Sequence, residues 1–265
     1  IDVMDMSAVD SRGPSFSRYL HSLILTDEDF FLQIDSHMDF AKSWDTKLMN
    51  EWGATNNEYA ILTSYPADTA RLHANGNNEN VMREVPYLCS ASFNSANLVR
   101  QGPAVALVNI ATPALQPLYS SMFSFSRSHA FRRVTPDPNL QHAYDGVEFS
   151  MGARLWTRGY DFYAPTETVV FHDYKQAMAV TEGKENDKAE GHNHVDPVGW
   201  TENGMSPWDK RKMFEDASLR MKTLLNTPGG DNTLAAIASL TKFGLGSART
   251  LQQYWAFCGV NTKAL

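Results

Sequence analysis

Asp35 and His37 stand one residue apart, just past the apolar run Phe30-Phe31-Leu32-Gln33-Ile34. His172 closes a second apolar run, Val169-Val170-Phe171. Two imidazoles and a carboxylate are donors that suit a divalent cation of the manganese or zinc type. An ion held by so few protein ligands keeps open positions for substrate oxygens, where it can stabilise developing negative charge. The plain alternative is an Asp that caps a turn, with His37 merely beside it. His192-x-His194 has metal-like spacing too, but lies in a polar stretch rich in Gly, Asn and Pro that reads as a solvated loop. His142 sits in a Pro-rich polar connection with no strand to aim it.

The elements that must position these residues read as α/β. The run over 30–34 has the pattern of a strand buried on both faces of a parallel sheet, and ligands collect beyond the carboxyl ends of such strands. Residues 1–9 read as a short strand, and Pro14 opens a helix with Phe16, Tyr19, Leu20, Leu23 and Ile24 on one face. The opening is therefore expected to be strand, helix, strand, a right-handed parallel crossover. A helix is expected around Trp44 to Trp52, a strand over 60–65 and a surface loop over 74–80. Antiparallel strands are expected between Pro86 and Ile110. Glu148, Met151, Leu155 and Trp156 have helical spacing, with Gly159 as the stop, and Tyr160–Tyr163 leads into a strand over 166–171 that delivers His172. Helices over 214–225 and 250–258 follow, the second ended by Gly259.

At 265 residues with 43% hydrophobic content, the chain has enough apolar mass for one sizeable core. We divide it into a catalytic core over 1–182 and a helical extension of the same domain over 183–265. A net charge of −7 with no basic block argues against a nucleic-acid partner. A nucleotide ligand remains compatible, since a metal supplies positive charge locally. Cys89 and Cys258 are too few for a disulfide framework, which suits a reducing, cytoplasmic setting. No apolar run reaches the ~18 residues of a membrane helix. A membrane anchor lying upstream would instead place the protein in the Golgi lumen.

Three segments carry a family resemblance: LQIDSHMDF with Trp44-Asp45, DGVEFSMGARLWTRGYDFYAPT with VVFH, and FGLGSARTLQQYWAFCGV. Together they resemble glycosyltransferase family 60, which includes hydroxyproline-modifying polypeptide α-N-acetylglucosaminyltransferases. More distantly, they are similar to the polypeptide N-acetylgalactosaminyltransferases. The resemblance implies a GT-A type fold, a Rossmann-like mixed sheet flanked by helices. It also implies transfer from UDP-GlcNAc with retention, Mn2+ or Mg2+ as cofactor, and a protein or glycan hydroxyl as acceptor. Residue by residue, it implies that Asp35, His37 and His172 hold the metal. Ser36 and Arg12 join Asp35 and His37 at the nucleotide, and Glu148 with Asp145 act at the sugar or acceptor. Val147 departs from the family's paired acidic pattern, leaving Glu148 to carry that role. In the family a longer run, holding the first βα units that bind uracil and ribose, precedes the Asp-x-His strand. Here 34 residues precede Asp35, so the chain is expected to lack those N-terminal units.

Each reading has a rival. Glu148 could be a helix N-terminal carboxylate favoured by the macrodipole. Two histidines and a carboxylate also describe the iron site of 2-His-1-carboxylate oxygenases, which usually present His-x-Asp on antiparallel strands. The domain could also be degenerate, binding a glycan or protein without turnover.

Overall fold

A computed structural model describes residues 3–7, 10–73, 82–102, 105–174, 206–260 and 262. The run Phe30–Ile34 is strand β1, followed across a bend by β2 (Met38–Phe40). Then come β3 (Ala60–Thr63), β4 (Ala67–Asp68), β5 (Glu84–Tyr87), β6 (Ala91–Phe93), β7 (Val99–Gln101) and β8 (Val105–Val108). The last strands are β9 (Ala114–Gln116), β10 (Phe123–Arg127), β11 (Asp161–Ala164) and β12 (Val170–His172). The helices are α1 (Pro14–Leu23), α2 (Trp44–Ala54), α3 (Thr69–His73), α4 (His129–Arg133) and α5 (Val147–Trp156). Toward the C-terminus follow α6 (Pro207–Leu225), α7 (Leu234–Leu240) and α8 (Leu251–Cys258).

The main sheet runs β1-β10-β3-β11-β9 and is mixed, with β3 and β11 its parallel pair. Helices flank it, giving the expected α/β architecture. Two expectations about the opening fail. First, β1 is an edge strand antiparallel to β10, with Leu32 opposite Phe125, not a central strand of a parallel sheet. Its apolar run arises because both faces find partners even at the edge. Phe30 stacks on Phe125 at 5.1 Å and meets Trp52 edge-on, whereas Phe31 turns to Phe131 on the other face. Second, residues 3–7, the described part of the strand expected over 1–9, form no strand.

Strand alternation divides the interior into two cores. Ile61 and Phe162 face a core shared with α5 and α8, where Phe149 stacks on Trp255 at 4.8 Å. Leu62, Phe125 and Tyr163 face the other, closed by Leu48 and Trp52 of α2. Trp52 also donates its indole N–H to the Ala60 carbonyl at 3.0 Å, tying α2 to β3. Each such large apolar side chain contributes about 1.5–3 kcal/mol on burial.

A second sheet, β2-β12-β4, carries the histidines. The strand expected over 166–171 begins only at Val170. The residues before it are engaged elsewhere: Thr166 bonds the Glu51 carboxylate, and the Thr168 N–H donates to the Met82 carbonyl at 2.8 Å. Residues 161–164, read as a lead-in, are β11 itself. The antiparallel expectation holds for 86–110, where β5 pairs β8 and β6 pairs β7. Helix α1 departs from its expected face: Ser15 and Ser22 are its buried residues, and Leu23 is largely exposed. His192, His194, the 74–80 loop and the 182/183 division lie outside the described residues. No helix among those described is long and apolar enough to cross a membrane.

Candidate functional site

Asp35 follows β1 directly, its N–H donating to the Met122 carbonyl at 3.1 Å. Ser36 and His37 then make a bend, with His37 at a φ of 60°, a left-handed conformation that costs a non-glycine residue about 1–2 kcal/mol. That bend folds β2 back onto β12, so that His172 stands opposite Met38 and beside Asp68 of β4. The His37 carbonyl accepts from the Asp173 N–H at 2.8 Å, which pins the crossing. The rings of His37 and His172 come within 6.3 Å, centroid to centroid and nearly perpendicular. The structure thus brings His37 and His172 near each other, at the bend that also carries Asp35, but not by the route expected. β1 and β12 are not parallel strands of one sheet; a local bend brings the second sheet to the end of the first.

His172 is 4% exposed, and its Nδ1 is a buried atom with no hydrogen-bond partner. Burial holds its imidazole below the ordinary histidine range, with His37 pushing the same way and Asp35 opposing. The Tyr174 ring lies 4.5 Å from it, and the Tyr174 hydroxyl donates to the Pro66 carbonyl at 2.9 Å. Burial first, then the charges of Asp35, Asp68 and Glu148, push that phenol up to about 12. The donor set suits a divalent cation in kind, and the orphaned Nδ1 needs a partner. As they stand, no three His, Cys, Asp or Glu side chains among the described residues are close enough to hold an ion. Ligand bonds of about 2.0–2.3 Å would require the three side chains to draw inward.

Glu148 lies in the first turn of α5, after Gly146 at a φ of 84°. Its carboxylate accepts five hydrogen bonds. Oε1 takes the Ser120 hydroxyl at 3.1 Å, the Ser121 N–H at 2.7 Å and the Ser121 hydroxyl at 3.1 Å. Oε2 takes the Tyr65 hydroxyl at 3.3 Å and the Gln101 amide at 2.8 Å. The macrodipole alone is therefore an insufficient account of this residue. Burial, reinforced by Glu148, pushes the Tyr65 phenol upward. Asp145, one turn earlier, accepts from Asn94 Nδ2 at 3.0 Å and lies 3.9 Å from Arg100 Nε. The β6–β7 hairpin thus holds both acidic residues, through Asn94, Arg100 and Gln101.

Two further sequence candidates lie at the surface. Ser36 is exposed, and Arg12 is exposed with its guanidinium over the Phe16 ring. The arginine that approaches Asp35 is Arg18, at 3.8 Å. Sequence reasoning missed Arg18, Tyr65, Gln101, Ser120, Ser121 and Tyr174. Arg18 was traceable in principle, since it follows Ser15 by three positions on the polar face of α1.

A family model described as Glycosyltransferase (GlcNAc) matches residues 1–264. Among solved structures, GalNAc-T7 with UDP, GalNAc and Mn2+ matches with a TM-score of 0.47 at 12% identity. The match covers 92% of this chain and 43% of that one, so the chain spans less than half of that structure's length. No curated protein matches.

Proposed function

The chain belongs to the Glycosyltransferase (GlcNAc) family, and from that premise we propose that it transfers N-acetylglucosamine from UDP-GlcNAc to a hydroxyl acceptor. The transfer proceeds with retention, on a GT-A type core, to a protein or glycan hydroxyl. Residues 1–182 form the catalytic core and 183–265 its helical extension, and the setting is cytoplasmic. The observation that carries the reading is the family match over residues 1–264.

Asp35, His37 and His172 would hold a divalent cation, Mn2+ or Mg2+, which when bound supplies positive charge to the leaving diphosphate oxygens. Arg18, at 3.8 Å from Asp35, gives that carboxylate a cationic neighbour. The anomeric carbon gains positive charge as its bond to the diphosphate breaks. Glu148, held by five donors, offers a carboxylate that cannot swing away, suited to stabilising that charge or orienting the acceptor hydroxyl. Asp145 stands one turn earlier on the same scaffold.

A panel of sugar nucleotides assayed for hydrolysis and transfer with Mn2+ tests the proposal. UDP-GlcNAc is expected to turn over fastest. Equal turnover of a GDP-sugar overturns the donor assignment. Binding without turnover of any donor favours a non-catalytic binding domain, and activity with iron and a keto acid favours the oxygenase.

A further inference from the structure

Residues of α1 and α5 line a small cavity of mixed polar and apolar character. Ser15 and Arg18 reach it from α1 and Arg154 from α5, with Asp137 and the apolar Val147 and Met151 among the other lining residues. The cavity is partly open to the surface, and its inner space accommodates a water or a halide ion, not an organic anion or a phosphate.

The cavity is poorly matched to being empty or merely wet. Arg154 is 2% exposed, as is Ser15. The Arg154 guanidinium donates from Nη2 to the Thr135 carbonyl at 2.8 Å, touches Met151 Sδ at 3.6 Å from Nη1 and lies 5.6 Å from the Phe243 ring. Its Nε has no hydrogen-bond partner, and neither has Ser15 Oγ. Asp137 is the carboxylate on the wall, but both of its oxygens are in use. Oδ1 accepts from the Asn139 backbone and side chain, and Oδ2 accepts from Arg220 Nε at 2.7 Å. The Arg18 side chain, 14% exposed, brings a second guanidinium and lies 3.8 Å from Asp35. Burial pushes the Arg154 guanidinium down to about 10 in spite of Asp137. No side chain caps the start of α1, so its first-turn N–H groups add positive potential beside Ser15.

We propose that this cavity binds a monatomic anion, chloride under ordinary conditions, between Ser15 Oγ and the Arg154 guanidinium. A water meets the same two donors yet leaves the charge uncompensated, and a buried charge is costly unless paired. A halide supplies acceptor and charge within the same space. The bound ion joins α1, which presents Arg18 to Asp35, to α5, which presents Glu148.

The test is thermal unfolding of the whole chain at constant ionic strength, with chloride replaced stepwise by gluconate, which is too large to enter. The wild-type melting temperature is expected to climb with chloride, by about 3 °C at tenfold excess over Kd. Ser15→Ala and Arg154→Gln are expected to lose that dependence, whereas Arg211→Ala, at an exposed position, keeps it. If Arg154→Gln fails to fold, Ser15→Ala decides alone. Crystals grown in bromide are expected to show an anomalous peak between Ser15 and Arg154. Equal melting in chloride and gluconate, a halide dependence that survives Ser15→Ala, or a cavity without a bromide peak overturns the proposal.

Discussion

Glu148→Gln separates chemistry from scaffold, because the carboxylate serves both in our reading. The variant keeps size and shape but replaces one acceptor oxygen with an NH2 group. That group must face either the three donors at Oε1 or the two at Oε2. The Oε2 side costs less, since the Tyr65 hydroxyl can turn to accept. Gln101 Nε2 cannot adapt so easily: reversing its amide would break its bond to the Tyr119 carbonyl at 2.8 Å. One donor therefore loses its acceptor, at about 1–3 kcal/mol, and the surviving bonds weaken from charge-assisted to neutral. We expect a total loss of about 2–4 kcal/mol, read as a fall in melting temperature of about 4–8 °C. In donor turnover below that temperature, we expect a loss of about two orders of magnitude. Calorimetric affinities for UDP and Mn2+ should stay near wild type. Reduced stability with wild-type turnover would make Glu148 a purely structural tie, and an unchanged melting temperature would refute the hydrogen-bond accounting itself.

Other outcomes follow from neighbouring observations. His172→Ala is expected to raise the Mn2+ concentration for half-maximal transfer at least tenfold, and chelation should abolish wild-type transfer; activity indifferent to both refutes the metal assignment. Phe162→Ala empties a fully buried position on β11 and should cost about 3–5 kcal/mol in urea unfolding. A loss under about 1 kcal/mol would show that the site collapses or is already loosely packed. Burial pushes the Cys258 thiol up to about 12, so at pH 8 it is almost entirely protonated. A thiol reagent should therefore label partly exposed Cys89 first in the folded protein, and equal labelling rates would refute that burial.

What the sequence determined by itself was local. Helices α2, α5 and α8 were legible because a helix satisfies its backbone within its own segment and displays its apolar face at regular spacing. The end of α8 was legible too, since Gly259, its expected stop, takes a φ of 65°. Asp35, His37 and His172 stood out because few residue types bind metal and each followed an apolar run. The partner of β1 was not legible. A strand takes its hydrogen bonds from elsewhere in the chain, and a run such as Phe30–Ile34 looks alike at a parallel centre and an antiparallel edge once both faces are covered. Only the tertiary structure decided that β2 folds onto β12, through the left-handed turn at His37. It alone gathered five donors onto Glu148 from residues 27 to 83 positions away. It also chose Arg18 rather than Arg12 as the neighbour of Asp35, because α1 turns its serine face, not its apolar one, toward the interior. Spacing along the chain encodes local direction, whereas a hydrogen bond or ion pair depends on position in space, which only the packed fold supplies.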